Sequence, residues 1–207
     1  NPGSIAVISQ SGAMLSALFD EYNSSGVGIS TAISLGNRVG IAEHDCLEYA
    51  IADDQTKVIA IYLESISDPQ KLLNILSSNN HKKPIFLLKG GTTKEGRVAA
   101  VSHTAALATS EVLLSSLCRQ AGIVQVANFE QLVRTSIAAS LSHYLPENVM
   151  IVTNAGGPSV VMTDEIANAK IPLHILSPST IESLKASLPD LKLGKPLDLL
   201  GDASTDT

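Results

Sequence analysis

Short, almost unbroken apolar runs alternate with helix-length segments along the chain, and this alternation limits what it can fold into. Residues 4–8 (SIAVI), 31–35, 57–63 (KVIAIYL), 84–88 (PIFLL) and 123–126 are runs of Ile, Val, Leu and Ala. Each is followed by a stretch that reads as a helix: from Ala13, over 43–52, from Asp68-Pro69 to about 78, over 110–121, and from Asn128 to about 141. Asp68 and Asn128 are N-cap residues, Pro69 suits the first helical position, and Gly122 marks a C-terminal stop. Strands that alternate with helices need crossover connections, so the sheet is parallel and buried on both faces, which is why its strands are continuously apolar. Five such units are expected to form one doubly wound α/β domain.

A turn-rich junction, Leu145-Pro146-Glu147-Asn148, separates a second series. It is read as a strand over 149–152, a helix to about 169, a strand over 173–176, a helix opening at Ser177-Pro178, and a third strand within 195–200. The expected organisation is therefore a domain over 1–145 and the N-terminal part of a second α/β domain over 148–207. The chain starts Asn1-Pro2-Gly3 without Met and ends just after an apolar run, so both ends read as cuts through a longer polypeptide.

Composition removes several function classes. The net charge of −6 argues against a binder of nucleic-acid phosphates. No apolar run approaches the roughly 20 residues that span a bilayer. Hydrophobic residues make up 44% and aromatics 3%, so the core must be aliphatic. Cys46 and Cys118 form neither a metal pattern nor a disulfide framework, read as small apolar fillers and fit a reducing cytosol. His44, His81, His143 and His174 lack ligand spacing and are expected at the surface or at caps, and no metal site is expected.

In open α/β sheets ligands gather at the carboxyl ends of the strands. Three loops there stand out. Ser9, Gln10, Ser11 and Gly12 join the first strand to its helix, with small residues that let an anion reach the amides and positive dipole of a helix N-terminus. Thr153-Asn154-Ala155-Gly156-Gly157 has the same design in the second domain. Taken singly, either loop is most often only a helix cap, and neither fits a Walker A or GxGxxG pattern. The third is the long stretch 89–108 after the fourth strand, longer than usual in a compact domain; it holds Lys89, Lys94, Arg97 and His103 among small side chains.

The stretch 90–108 resembles the phosphohistidine loop of the NDP-forming acyl-CoA synthetases, the superfamily that includes succinyl-CoA synthetase. The resemblance runs in the same order through nearly the whole chain: IAVISQSGAMLSAL (5–18), Gly36-Asn37, Asp45, Leu47-Glu48-Tyr49, Ile61-Tyr62-Leu63-Glu64, Val152-Thr153-Asn154-Ala155-Gly156-Gly157-Pro158 and Lys195-Pro196-Leu197-Asp198. It departs at Ala105 and Thr109, where the family's loop usually carries Gly.

The resemblance implies a flavodoxin-like first domain, part of a second flavodoxin-like domain, and specific roles. His103 would carry the phosphoryl group and Glu64 would hydrogen-bond its ring and fix the tautomer. Ser9, Gln10, Ser11, Gly12, Asn154, Gly156 and Gly157 would offer phosphate sites at two helix N-termini, which in the family face the phosphohistidine from two domains. The implied reaction is acyl-CoA + ADP (or GDP) + phosphate ⇌ carboxylic acid + CoA + ATP (or GTP). A CoA-binding domain and an ATP-grasp domain or subunit, with CoA, nucleotide and Mg²⁺, would lie outside this chain, which alone would be inactive. A cytoplasmic oligomer is expected for the full-length form. Two other readings stay open: a regulatory synthetase-like module of a protein lysine acetyltransferase, and a non-catalytic flavodoxin-like binding domain.

Overall fold

The computed structural model describes residues 2–78, 83–96, 98–99, 111–141, 147–188, 191, 193–199 and 201. The chain divides into two compact units, Asn1–His143 and Tyr144–Thr207.

The first unit is a five-stranded parallel sheet with helices on both faces. Its elements are β1 (Pro2–Ser9), α1 (Gly12–Ser24), β2 (Ile29–Ser34), α2 (Glu43–Ala52), β3 (Val58–Leu63), α3 (Pro69–Ser78), β4 (Ile85–Lys89), α4 (Glu111–Ala121), β5 (Val124–Val126) and α5 (Phe129–Leu141). The strand order is β2-β1-β3-β4-β5, the flavodoxin-like arrangement. In register, Ser9 lies opposite Tyr62, and Leu63 opposite Lys89.

Strand alternation divides the apolar runs between two cores. Ile5, Val7, Val58, Ala60, Phe86 and Leu88 face Leu18 and Tyr22 of α1 and Leu132 and Val133 of α5. Ala6, Ile8, Ile59, Ile61, Ile85 and Leu87 face the other way, against Leu47 of α2, Leu72 and Leu76 of α3, and Leu114 and Leu117 of α4. Burial on both faces is what demanded continuous runs: Ile5, Ala6, Val7 and Ile8 are all fully buried. A polar tie joins α1 to α5, where Tyr22 Oη and Ser136 Oγ pair at 2.7 Å. Burial, opposed by this bond, pushes the Tyr22 hydroxyl up to about 12, so it stays protonated.

The helix ends follow the expected capping chemistry. Asp68 Oδ1 accepts the Lys71 N–H at 2.9 Å and Asn128 Oδ1 accepts the Gln131 N–H at 2.9 Å. Gly122 takes a φ of 68°, the left-handed conformation that ends α4. Cys46 and Cys118 are buried free thiols in α2 and α4.

The second unit holds β6 (Val152–Thr153), α6 (Gly156–Asn168), α7 (Pro178–Ser187) and β7 (Leu197–Asp198), with β6 and β7 parallel. Two expected strands are corrected. Residues 173–176 form no strand: Leu173 makes one isolated bridge to Val149, and Ile175 is 71% exposed. The strand read over 149–152 is likewise reduced to that bridge and the short β6. The cause is pairing: within the described residues Val149 is the only partner for this segment, bonded through Pro172 O and the His174 N–H.

A further correction concerns His44. Expected at a surface or cap, it is only 7% exposed, in the first turn of α2 beside the equally buried Glu43. His174 is exposed, with Nδ1 3.0 Å from Asn148 Oδ1. His81 and His143 lie outside the described residues.

The two-face core gives a direct expectation. Leu47→Ala and Leu132→Ala, both at fully buried sites on opposite faces, should each lower unfolding free energy by about 2–5 kcal/mol. Urea denaturation checks this. A loss below about 1 kcal/mol at either site would mean that face is not a packed core.

Candidate functional site

The sheet reverses its winding between β1 and β3: one connection from β1 leads outward to β2, the next crosses to β3 on the other side. At such a switch point the loops leaving the two strands turn apart at their carboxyl ends, where ligands of open α/β sheets bind. The residues there are Ser9, Gln10, Ser11 and Gly12, from the end of β1 to the start of α1, and those after β3, from Glu64. The structure therefore brings these sequence-predicted residues to one rim.

Gln10 ties the two sides together. Its side-chain Oε1 accepts the backbone N–H of Glu64 at 2.8 Å and of Ser65 at 3.2 Å, while its own N–H donates to Tyr62 O at 3.0 Å. Gln10 is 5% exposed, so its carbonyl oxygen and backbone N–H are committed to holding the end of β3. Ser9 Oγ is turned inward as well, donating to Ser11 O at 2.7 Å and accepting the Ser11 N–H at 3.1 Å. Ser11 Oγ caps α1 by accepting the Met14 N–H at 3.3 Å. The amides of Gly12 and Ala13, in the first turn, are those that an α-helix leaves without intrahelical partners.

Glu64 is 8% exposed. Tyr62 Oη donates to its Oε1 at 3.3 Å. The end of β4 lies against the same pair: Gly90 N–H donates to Leu63 O at 2.8 Å, and a Cβ built on Gly90 would stand 2.7 Å from Tyr62 Oη and 3.4 Å from Glu64 Cγ. The segment that leads to His103 thus departs beside Glu64. His103 itself, with Ala105 and Thr109, lies outside the described residues. The part of that segment that is described is not irregular throughout. Residues 94–96 and 98–99 are helical, and Thr93 Oγ1 accepts the Gly96 N–H at 3.0 Å. Lys89 is 6% exposed, and its ammonium donates to Gly90 O.

Periodicity gave no sign of the clamp around Glu64–Ser67. Arg38 has a φ of 60°, uncommon for a residue with a Cβ. Its guanidinium is held by Glu43 Oε2 at 3.1 Å, by Ser65 O at 3.1 Å and by Ser65 Oγ. Glu43 Oε1 accepts the Ser67 N–H and, at 2.8 Å, the Ser67 hydroxyl. The pair is buried, with the Arg38 and Glu43 side chains 12% and 2% exposed. This anchoring draws the first turn of α2 inward and accounts for the burial of His44. Burial alone would push the Glu43 carboxyl up, but the Ser67 N–H, its own N–H, the Ser67 hydroxyl and the Arg38 guanidinium outweigh it and hold the carboxyl below the ordinary range. The signal available in sequence was the polar cluster Gly36-Asn37-Arg38 after a strand, with Arg38 five residues before an acidic helix start.

The second unit repeats the loop geometry of the first. Thr153 Oγ1 donates to Ala155 O at 3.2 Å and accepts the Ala155 N–H at 3.0 Å, as Ser9 does with Ser11. Asn154 is exposed, and Gly156 and Gly157 open α6. Ala155, unlike Ser11, supplies no side-chain cap. Among the described residues, no group of three or more His, Cys, Asp or Glu could hold a metal ion, and no helix is long and apolar enough to cross a membrane.

Residues 2–139 match the family model described as succinyl-CoA ligase like flavodoxin domain. The chain belongs to the NDP-forming acyl-CoA synthetase family. It is 37% identical over 206 residues to an ADP-forming acetate–CoA ligase of Methanocaldococcus jannaschii, covering 99% of this chain and 29% of that protein. It is 37% identical to an ADP-forming 4-hydroxybutyrate–CoA ligase of Nitrosopumilus maritimus, covering 97% of this chain and 29% of that one. Among solved structures, a Ca. Korarchaeum cryptofilum dinucleotide-forming acetyl-coenzyme A synthetase, in complex with phosphate and ADP, superposes with a TM-score of 0.86 at 33% identity, over 98% of this chain and 44% of that one. The relatives also include an α subunit, that of acetate–CoA ligase II of Pyrococcus furiosus, of which the chain covers 44%. The chain thus spans less than half the length of each of these relatives.

The clamp carries a testable consequence. Arg38→Met leaves Glu43 buried without its cation and should cost about 3–5 kcal/mol. The depressed Glu43 carboxyl contributes stability that is present above its unfolded value and is lost as pH falls through its folded one. The unfolding free energy of the unaltered protein should therefore drop on acidification through the carboxylate range, and Glu43→Gln should flatten that drop. Equal slopes in the two proteins, measured by denaturant titration between about pH 6 and 3, would contradict it.

Proposed function

We propose that this chain supplies the phosphohistidine relay of an NDP-forming acyl-CoA synthetase, working with CoA-binding and ATP-grasp domains that it does not itself contain. In this reading phosphate displaces CoA from the acyl-CoA, giving an acyl phosphate and free CoA. A ring nitrogen of His103 attacks the phosphorus; the P–O bond to the acyl group breaks and the carboxylate leaves. The phosphoramidate then passes its phosphoryl group to a terminal oxygen of ADP or GDP, and the ring returns to its neutral form. Mg²⁺ accompanies the nucleotide on the ATP-grasp domain.

Residues of this chain would do three things. Glu64 would accept a hydrogen bond from one nitrogen of His103, fixing the tautomer so that the other is the nucleophile. The N-terminus of α1 would offset the phosphoryl charge through the Gly12 and Ala13 amides, by roughly 0.3–2 kcal/mol for an anion at a helix N-terminus. The N-terminus of α6, opening at Gly156 and Gly157 after Asn154, would do the same, and its lack of a side-chain cap supports that use. Alone, the chain is expected to turn nothing over, because the groups that bring nucleotide and CoA to the relay lie on other domains.

The observation that carries the reading is the placement of Glu64 just past the end of β3, buried, across from the start of α1 and beside the end of β4 from which the His103 segment leaves. One departure favours a second reading: Ala105 and Thr109 stand where the family's loop usually has Gly, and loss of relay activity would suit a regulatory module of a lysine acetyltransferase.

The test uses the longer protein that carries this chain together with its nucleotide-binding domain. Incubation with ATP and Mg²⁺ should leave an acid-labile, base-stable phosphoryl group. His103→Asn should abolish it, and Glu64→Gln should slow its formation by roughly 10²-fold. Undiminished labelling of the His103→Asn protein would refute the relay. No labelling of the unaltered protein would bring the regulatory reading forward.

A further inference from the structure

We propose that Tyr62 is a positioning residue for Glu64, and that an alanine at position 90 would displace the Tyr62 hydroxyl, which occupies the space a Cβ would need. The inference rests on the reading of Glu64 as the partner of His103 and goes one step beyond it, to what fixes the carboxylate.

Three observations carry it. Tyr62 and Glu64 are two residues apart at the end of β3, so they leave the strand on the same face. The phenol donates to Glu64 Oε1 at 3.3 Å. Finally, a Cβ on Gly90 would lie 2.7 Å from Tyr62 Oη, 3.3 Å from Cζ and 3.4 Å from Glu64 Cγ. The first of these is closer than real Cβ atoms approach, the second requires the ring to give by a few tenths of an ångström, and the third is ordinary contact. An alanine at 90 would therefore push the Tyr62 phenol, whose hydroxyl is also the group that holds the carboxylate.

The phenol is suited to the task. Burial first, and the charge of Glu64 second, push its hydroxyl up to about 12. It therefore keeps its proton across the physiological range and remains a donor. Gln10 holds the backbone of Glu64 and Tyr62 holds one oxygen of its carboxylate, so the residue is held at both its backbone and its side chain. Tyr62 touches neither phosphate nor His103 in this account and acts only through Glu64.

The experiment measures single-turnover phosphoryl transfer to His103 from ATP and Mg²⁺ in the longer protein, with KM for nucleotide and the thermal midpoint recorded for each variant. Tyr62→Phe keeps the ring and removes the donor. It should slow transfer about three- to tenfold, with KM for nucleotide and the thermal midpoint unchanged. Gly90→Ala should slow transfer by a similar factor. The double variant should be no slower than the slower single one, because both changes break the same bond. In a Glu64→Gln background, Tyr62→Phe should have little further effect.

Transfer at the unaltered rate in Tyr62→Phe, with Glu64→Gln still slow, would overturn this inference and leave the relay standing. Multiplying effects in the double variant would overturn the role given to Gly90. Unimpaired transfer in both Glu64→Gln and His103→Asn would remove the relay and this inference together.

Discussion

Just past the end of β1, the carboxamide oxygen of Gln10 reaches to the segment after β3 and accepts the N–H groups of both Glu64 and Ser65. Where a parallel sheet reverses its winding, the loops on either side diverge, and nothing in the strand pairing fixes one against the other. This pair of bonds does so. Together with the Arg38–Glu43 clamp on Ser65 and Ser67, it makes the segment after β3 a fixed wall, built by side chains from the loops after β1 and β2 and from the start of α2. The chemistry proposed for the rim needs such a wall, because a histidine can be held in one tautomer only by a partner that is itself held.

The rest of the first unit serves that rim. Both faces of the sheet are covered by apolar side chains, and the residues that follow β1, β3 and β4 meet at the carboxyl ends of the strands. Buried polar side chains at the rim come with named partners: Ser9 with Ser11, Gln10 with β3, and Glu43 with Arg38 and Ser67. The second unit uses the same Thr-for-Ser turn before its first helix, which shows that the turn is a device for opening a helix at the end of a strand. Ser11 caps the first helix and Ala155 leaves the second uncapped.

Much of the fold was legible in the sequence because it rests on local patterns. The five apolar runs became β1–β5, α2 was placed at its observed bounds, and the Asp68, Asn128 and Gly122 signals act as expected. Errors fell where tertiary partners decide. The segment 173–176 had the composition of a strand but only Val149 to pair with. His44 was polar and near a helix start, yet anchoring of its neighbour Glu43 drew it inside. The Arg38 clamp joins residues 5 and 27 positions apart through side chains alone, a relation that no spacing rule exposes. For the candidate site, the Ser9–Gly12 turn was legible as a helix mouth at the carboxyl end of a strand, Glu64 was singled out only by the resemblance to a family, and the structure adds how Gln10 and Tyr62 engage Glu64.

The central proposal is spatial: the buried Glu64 carboxylate at the end of β3 would face the imidazole proposed to carry the phosphoryl group. The most direct measurement is a crystal structure of the longer protein with inorganic phosphate bound. The account expects a Glu64 carboxylate oxygen within hydrogen-bond distance, about 2.7–3.2 Å, of a ring nitrogen of His103, with the anion at the first-turn amides of α1. A His103 ring directed away from this rim, with Glu64 paired elsewhere while phosphate occupies the site, would contradict it.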